Sequence, residues 1–299
     1  MEQDLQQEGV FKSAQIPGPR VGGQAESSMP VPLFLLGTHQ PGWLATAKVP
    51  LFVSDRRLKN YRTLPRAVVP WALDSGAFSE LAIHGNWSHG PTPEQYVERI
   101  RRYQREIGRL LWAAPQDWMC EPWILAKTGL SVAEHQARTV ANFCTLRRLA
   151  PELPIIPVVQ GWAAPADYLR CVELYRAAGV DLTKEPLVGV GSVCRRQATL
   201  DVVTVLRALH AAGLTRLHGF GVKAQGLRRY GRLLTSADSM AWSMAARHAA
   251  RLPGCTRHVT CANCPRFAFR WRRRLLANCN RARSPRPDPV RGQQELTAT

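Results

Sequence analysis

No stretch of about 18 consecutive apolar residues occurs in the 299-residue sequence, which excludes a conventional membrane-spanning helix. The first 30 residues also lack the apolar core of a secretory signal, and carry charged residues and Gln instead. Together these absences predict a cytoplasmic protein that has no membrane partner.

Acidic residues are scarce, with 22 Asp and Glu against 40 Lys and Arg, which gives a formal net charge of +18. Lys and Arg attract polyanions because their contacts to phosphate groups supply affinity that does not depend on base sequence. The imbalance therefore favours a nucleic-acid partner. An Arg-rich genome is the alternative explanation, since Arg is spread along the whole chain.

The two ends of the chain are expected to be disordered. Residues 1–30 are polar and rich in Gly and Gln, and residues 279–299 are rich in Pro and Arg. The chain as a whole is 45% hydrophobic, enough for one sizeable core. We expect a catalytic domain over residues 31–250 and a zinc-binding, basic segment over residues 251–278.

Short apolar runs recur along the catalytic domain and resemble strands buried on both faces, because their apolar residues do not alternate with polar ones. The runs are VPLFLLG (31–37), PLFVSD (50–55), PWALDSG (70–76), LLWAAPQD (110–117), PIIPVVQG (154–161), LVGVGS (187–192), RLHGFGV (216–222) and SADSM (236–240). Eight such runs with helices between them predict an α/β fold, a (β/α)8 TIM-like barrel with a C-terminal zinc-binding segment. A doubly wound open sheet is the alternative.

Four segments between the runs have helical patterns with a recognisable start or stop. They cover residues 91–108, 131–150, 165–179 and 197–213. The first opens with the capping pair Thr92 and Gln95, and the second opens with Ser131. The last two close with Gly, a common helix stop.

Polar residues follow several of the apolar runs. They are Asp74, Asp117, Gln160, Ser192, Lys223 and Asp238. In a barrel and in an open sheet alike, functional residues collect at the C-terminal ends of the strands. The repeated arrangement therefore predicts one functional site that draws on several strands.

Two of these residues, Asp74 in LDSGAF and Asp238 in SADSMAW, could cleave a glycosidic bond as a pair. One carboxylate would attack the anomeric carbon and the other would move protons. Either Asp could instead cap the helix that follows it. The spacing of the residues does not decide between these interpretations.

Asp117 and Gln160 could bind the edge of a purine. A carboxylate accepts hydrogen bonds from amine and ring N–H groups, and an amide offers both a donor and an acceptor. The backbone of VGVGS could add N–H donors for a carbonyl oxygen. For Gln160, a buried amide satisfied by the backbone is the simpler interpretation from its surroundings in the sequence.

The segment GCTRHVTCANC places Cys255, His258, Cys261 and Cys264 at three-residue steps. Three thiolates and one imidazole suit a tetrahedral structural zinc, and four protein ligands leave no open position for catalysis. Unligated thiols are the alternative. The basic and aromatic stretch FAFRWRRRLL follows and could contact phosphates, or could be a solvated helix face.

The motifs LDSGAF, VVQGW, VGVGS, HGFGVK and SADSMAW, in this order and ahead of a Cys/His cluster, resemble the queuine/archaeosine tRNA-guanine transglycosylase superfamily. They are most similar to its DNA-acting branch, the 7-deazaguanine DNA transglycosylases (DpdA). The resemblance runs from about residue 32 to 275. It implies exchange of guanine in DNA for a 7-deazaguanine, with 7-cyano-7-deazaguanine as the expected incoming base.

The resemblance also implies roles for individual residues. Asp238 would be the nucleophile and Asp74 the general acid and base. The implied base-binding residues are Ser75, Asp117, Gln160 and Gly191. The Cys/His cluster would be the structural zinc site of the family, and no redox or nucleotide cofactor is expected. Because the enzyme must reach a stacked base, partner proteins that open the DNA are also possible.

Three features favour the DNA branch over the tRNA enzymes. Gly-Ala-Phe-Ser follows Asp74-Ser75 where the tRNA enzymes have Gly-Gly-Phe-Gln, and His258 lies between cysteines instead of after them. Val-Cys-Arg-Arg (193–196) replaces a stretch that carries an acidic residue in the tRNA enzymes. The same chemistry on tRNA, a zinc-containing nucleic-acid-binding protein without catalysis, and a hydrolytic glycosidase remain as alternatives.

Overall fold

The computed structural model describes residues 32–196 and 201–281. Within them, eight parallel strands form one sheet in the order β4-β3-β2-β1-β8-β7-β6-β5. The strands are β1 Leu33–Thr38, β2 Leu51–Ser54, β3 Trp71–Asp74, β4 Leu110–Ala113, β5 Val158–Val159, β6 Val188–Val190, β7 Leu217–Gly219 and β8 Ser236–Ser239. Each of the eight strands predicted from the sequence is present.

Helices connect the strands, so the α/β fold is confirmed. They are α1 Asp55–Leu58, α2 Ala77–His84, α3 Pro93–Glu106, α4 Pro122–Thr128, α5 Val132–Leu149, α6 Pro165–Ala177, α7 Asp201–Ala211, α8 Ala224–Tyr230, α9 Ala241–Arg247 and α10 Pro265–Arg281. Short 3-10 turns cover Pro41–Ala45, Gly231–Leu233 and Cys261–Asn263. No helix in the described ranges is both long and apolar enough to cross a membrane.

The predicted helix start and stop residues lie at the ends of helices in the structure. Thr92 and Gln95 form a capping box at the start of α3, because each side chain bonds the backbone N–H of the other. Ser131 forms the same arrangement with Glu134 at the start of α5. Gly179, just beyond the end of α6, adopts a left-handed φ of 79°, which stops a helix at no steric cost.

The sheet curls until its two edge strands approach each other. Ala113 of β4 forms a parallel bridge with Ile155, just before β5. Two hydrogen bonds support the bridge, from Ala113 N to Pro154 O (2.9 Å) and from Ile156 N to Ala113 O (3.1 Å). The curl distinguishes this sheet from the doubly wound alternative, in which the sheet is open and helices cover both of its faces.

Side chains on the two faces of the sheet belong to separate apolar clusters. In β1, Leu35 packs with Trp112 and Ile156, whereas its neighbours Phe34 and Leu36 pack in the large cluster that includes the helices. This alternation is the period of a strand, with one face toward the inside of the curl and the other toward the helix layer. The inner cluster is small and forms the floor beneath the functional site.

The C-terminal helix extends further than the sequence suggested. Residues 279–281, expected to begin a disordered tail, continue α10, and Cys279 is 4% exposed. The expected disorder of residues 1–30 and 282–299 concerns positions outside the described residues. The first four residues of the helix predicted over 197–213 also lie outside them.

Candidate functional site

A single pocket of about 340 Å³ lies at the C-terminal ends of the strands. Every strand, or the turn that follows it, contributes to its wall. In chain order from β1 to β8, the eight strand ends contribute Thr38, Ser54, Asp74, Asp117, Gln160, Gly191, Gly221 and Asp238. The volume lies in the range of small-molecule sites, roughly 300–1,000 Å³. Convergence follows from the fold, because parallel strands of one curled sheet all end at the same rim.

The two carboxyl groups proposed for catalysis both line this pocket. Asp74 is the last residue of β3, and its carboxyl group bonds the Ser54 hydroxyl and the Gly76 N–H. Burial raises the pKa of Asp74, and the nearby charge of Asp238 raises it further. A raised pKa keeps a proton on this carboxyl group over more of the pH range, as a general acid requires. Asp74 does not cap α2, whose N-cap residue is Gly76.

Asp238 lies in β8, where two groups contact its carboxylate. The Gly221 N–H donates to Oδ1 at 2.9 Å, and His218 Nε2 lies 3.3 Å from the same oxygen. Gly221 has a φ of 64°, and a Cβ there would lie 2.8 Å from Cβ of Cys194, so the turn requires Gly. His218 in turn contacts Ser236 Oγ at 2.9 Å. Asp238 is 7% exposed and lines the pocket wall.

Asp117 and Gln160 are in direct contact. Gln160 Nε2 donates to Asp117 Oδ2 at 2.6 Å, and both side chains are buried. Burial, together with the negative charge of Asp74, raises the pKa of Asp117 to about 7. The backbone carbonyl of Gln160 accepts from Gln136 Nε2 at 2.6 Å, which holds the strand end in place. The amide contacts the side chains of Asp117 and Ser192 and lines the pocket, instead of being a backbone-satisfied core group.

Two of the residues predicted to bind a base are placed differently. Ser75 does not belong to the pocket lining; it is 2% exposed and its hydroxyl has no hydrogen-bond partner among the described residues. Gly191 does line the pocket, but its N–H donates to Val159 O at 3.0 Å and is not available to a ligand. A Cβ at Gly191 would lie 2.3 Å from the Gln160 amide, so this Gly makes room for Gln160.

Several residues that sequence reasoning did not single out also belong to the site. Phe78 and Phe220 bring aromatic rings to the pocket, and Glu121 adds a fourth carboxyl group. His218 is completely buried inside a strand, which is an unusual place for His. A His within an apolar run of the sequence is therefore the one signal that could have identified it as a site residue. Glu121 is the N-cap residue of α4 and lies outside the periodic segments of the sequence, so nothing in its surroundings marks it.

Basic groups lie close to two of the residues that line the pocket, His39 and Phe78. Burial together with the positive charges of Arg57 and Arg247 lowers the pKa of His39. The Arg195 guanidinium lies over the Trp123 ring at 5.0 Å and over the Phe78 ring at 5.9 Å. Phe78 itself is 47% exposed.

The four cluster residues near the C-terminus come together as the sequence predicted. The ligand atoms of Cys255, His258, Cys261 and Cys264 lie within 4.8 Å of one another. Cys255 Sγ and Cys264 Sγ are 3.8 Å apart, and His258 Nε2 is 3.3 Å from Cys261 Sγ. A tetrahedral zinc would separate two sulfur ligands by about 3.8 Å and a sulfur and a nitrogen by about 3.5 Å. The cluster therefore fits a zinc ion, and could hold one.

The Cys/His cluster packs against two helices of the rest of the protein. It packs against Ala246 of α9 and Phe267 of α10, and Ser243 Oγ donates to Ala262 O at 2.8 Å. The basic stretch after it is divided between two roles. Arg272 donates to Phe34 O in β1 at 3.0 Å and anchors α10, whereas Arg273 and Arg274 are exposed.

Comparison with known families settles the broader assignment. The sequence model of the family DpdA, described as DeoxyPurine in DNA protein A, matches residues 31–295. The chain belongs to the DpdA family. The match covers the pocket, the strands that carry it and the Cys/His cluster. No curated protein matches the sequence.

Membership in DpdA confirms the family predicted from the sequence motifs. It implies a transglycosylase-like role that concerns 7-deazaguanine in DNA, and it implies DNA as the substrate. The DpdA match assigns a family and no roles to single residues. The roles of single residues are argued from the geometry of the pocket.

Proposed function

We propose that this DpdA protein exchanges guanine in DNA for a 7-deazaguanine base, with 7-cyano-7-deazaguanine as the incoming base. One observation carries the proposal. Asp74 and Asp238, 164 positions apart in the sequence, line the same pocket as the Asp117–Gln160 pair. A pocket with two carboxyl groups for chemistry and a donor–acceptor pair for a base edge suits cleavage and re-formation of a glycosidic bond.

The Asp117–Gln160 pair would recognise the base. The Asp117 carboxylate can accept hydrogen bonds from the amine and ring N–H of guanine, and an N–H of Gln160 can donate to its carbonyl oxygen. A 7-deazaguanine has the same edge, which would allow one pocket to hold the leaving and the entering base. Phe78 and Phe220 would contact the faces of the base.

The exchange would proceed by two displacements. A carboxylate oxygen of Asp238 attacks the anomeric carbon of the sugar, and the bond from that carbon to guanine N9 breaks. Asp74 gives its proton to the departing base and becomes a carboxylate. The entering base then loses its N9 proton to Asp74, N9 attacks the same carbon, and Asp238 is released. The carboxyl group with the raised pKa is the one that moves protons.

DNA would bind across the mouth of the pocket. The net charge of +18 and the basic groups at the rim, Arg57, Arg195 and Arg247, suit a phosphate backbone. A base stacked inside a duplex does not reach an enclosed pocket, so the target base would have to rotate out of the helix or lie in a single strand. Partner proteins could open the DNA for this step.

We further infer two finer points of architecture. The bridge between Ala113 and Ile155, with its two hydrogen bonds, supports closure of the sheet into a (β/α)8 barrel. The sulfur–sulfur and sulfur–nitrogen distances in the Cys/His cluster support a structural zinc. The ion would hold the segment after α9 against α10.

The exchange itself is tested by incubating the protein with a labelled 7-deazaguanine and duplex DNA, single-stranded DNA or tRNA. Nucleosides are then released enzymatically and measured by mass spectrometry. We expect the label in deoxynucleosides. Label in tRNA alone would favour the tRNA alternative, abasic sites without label would favour a hydrolase, and DNA binding without any change would favour a binding protein.

Asp117 gives the proposed pocket a testable pH dependence. With its pKa raised to about 7, the side chain is protonated below that pH and loses an acceptor oxygen. Above that pH the carboxylate accepts the N–H groups of a guanine-type base. We expect the affinity for free 7-deazaguanine, measured by calorimetry, to rise about tenfold between about pH 6 and pH 8. The Asp117→Asn variant has no carboxyl group to titrate, and an unchanged pH dependence in it would refute this assignment.

A further inference from the structure

Four buried polar side chains form a continuous hydrogen-bonded chain along one wall of the pocket. Gln160 Nε2 donates to Asp117 Oδ2 at 2.6 Å, and Gln160 Oε1 lies 2.9 Å from Ser192 Oγ. Ser192 Oγ also lies 2.9 Å from Glu121 Oε2. Each of the four is less than a tenth exposed, so water does not replace these contacts.

The number of donor hydrogens among these four side chains limits which of them donate and which accept. Ser192 has one hydroxyl hydrogen, but it contacts two acceptor oxygens, and the Cys120 N–H already donates to its oxygen at 2.8 Å. If the hydroxyl donates to the Gln160 carbonyl, Glu121 must supply a proton of its own for the remaining contact. A protonated Glu121 that donates to Ser192 satisfies all four side chains.

The surroundings of Glu121 are compatible with that protonated form. Burial raises the pKa of Glu121, although its contact with Ser192 lowers it in part. The charged and titratable groups that face it are Asp117, Cys120, Tyr168, Cys194, Arg195 and Arg196, and of these the two Arg residues lower its pKa. Ser192 itself adopts a φ of 54°, which non-glycine residues rarely do, and this conformation accompanies a hydroxyl that reaches both neighbours.

The orientation of the Gln160 amide decides what the pocket offers to a base. With its carbonyl toward Ser192, Gln160 keeps Nε2 toward Asp117, and the second N–H of Nε2 has no partner among the described residues. A donor beside a carboxylate acceptor matches the carbonyl and N–H groups of a guanine-type edge. The opposite orientation would turn the carbonyl oxygen toward Asp117 and the base, which suits the amine of an adenine-type edge instead.

We propose that Glu121, acting through Ser192, fixes the orientation of the Gln160 amide and thereby makes the pocket select guanine-type over adenine-type bases. Glu121 is a positioning residue in this arrangement, because it acts on the base through two other side chains. The proposal rests on the proposed function, since it assumes that Asp117 and Gln160 hold the base.

Calorimetric binding of free 7-deazaguanine and free 7-deazaadenine tests the proposal without requiring catalysis. The wild-type protein should prefer 7-deazaguanine. Glu121→Gln should retain the preference, because its amide can still donate to Ser192. Ser192→Ala should reduce the preference about tenfold, since the Gln160 carbonyl loses the donor that orients it. Glu121→Ala should also reduce it about tenfold, because a Ser192 hydroxyl without the Glu121 proton can equally accept from a flipped Gln160 amide. Glu185→Gln, a buried Glu outside the pocket lining, is the matched control and should leave the preference unchanged.

The outcomes separate failure of this proposal from failure of the proposed function. Binding of neither base by the wild-type protein would count against the function itself. Selective binding by the wild-type protein with the same selectivity in Glu121→Ala would overturn the role of Glu121. Loss of selectivity in Glu121→Gln would also overturn it, because that result requires a charged Glu121 that accepts from Ser192. This last variant changes one atom type, so it remains informative if the alanine variants do not fold.

Discussion

Replacing Asp238 with Asn is expected to reduce base exchange by at least about 10⁴-fold while changing the affinity for free 7-deazaguanine by no more than about twofold. An amide is a far weaker nucleophile than a carboxylate, so no covalent bond to the sugar can form. The Asn side chain keeps the shape of Asp and an oxygen that can accept from Gly221 N–H, whose present distance to Asp238 Oδ1 is 2.9 Å. The loss should therefore appear in the chemical step and not in binding.

Two measurements check this expectation. Exchange is followed by incorporation of labelled base into DNA, and the covalent complex is followed as protein that migrates with DNA on a denaturing gel. Asp181→Asn is the matched control, because Asp181 is an exposed Asp that bonds Thr183 outside the pocket lining. Residual exchange in Asp238→Asn within about tenfold of wild type would remove Asp238 from the role of nucleophile.

Replacing Cys261 with Ser is expected to lower zinc content to well below one ion per chain and to reduce the free energy of unfolding by at least about 3 kcal/mol. A hydroxyl is a poor zinc ligand, and a closed structural site couples metal binding to folding. The effect should be large because Cys261 is completely buried and its cluster packs against both α9 and α10.

Zinc is measured by elemental analysis and stability by denaturant unfolding. Cys144→Ser is the matched control, since Cys144 is only partly buried in α5 and lies outside the cluster. It should retain full zinc content and lose little stability. A Cys261→Ser protein that keeps one zinc per chain would show that the ion, if present, is held by other residues.

The sequence predicted the elements of this fold well because their signals are local. Each apolar run became a strand, and the capping pair at Thr92 and Gln95 marked the start of α3. The Cys/His cluster was equally predictable, since its four ligands fall within ten consecutive residues and a short turn can bring them together. Boundaries were less certain: α10 continues to Arg281, where Pro and Arg in the sequence suggested a tail.

The surroundings of two predicted site residues depend on contacts the sequence does not contain. Ser75 adjoins Asp74 in the chain, but successive side chains along a strand point to opposite faces, and the buried Ser75 is not among the residues that line the pocket. Gly191 was expected to donate its N–H to a ligand. That N–H is instead part of the ladder to Val159, which only the pairing of β5 with β6 reveals.

Local patterns alone determined that this chain has eight strands, that polar residues follow them and that four ligands form a cluster, because burial periodicity and short-range spacing are properties of neighbouring residues. Only the folded structure decided which side chains meet. Asp74 and Asp238 share one pocket because the sheet curls, and Glu121 reaches Gln160 through Ser192 because three separate strand ends converge. Burial in that shared space is also what raises the pKa values of Asp74 and Asp117, so the chemistry of the site is a property of the tertiary packing.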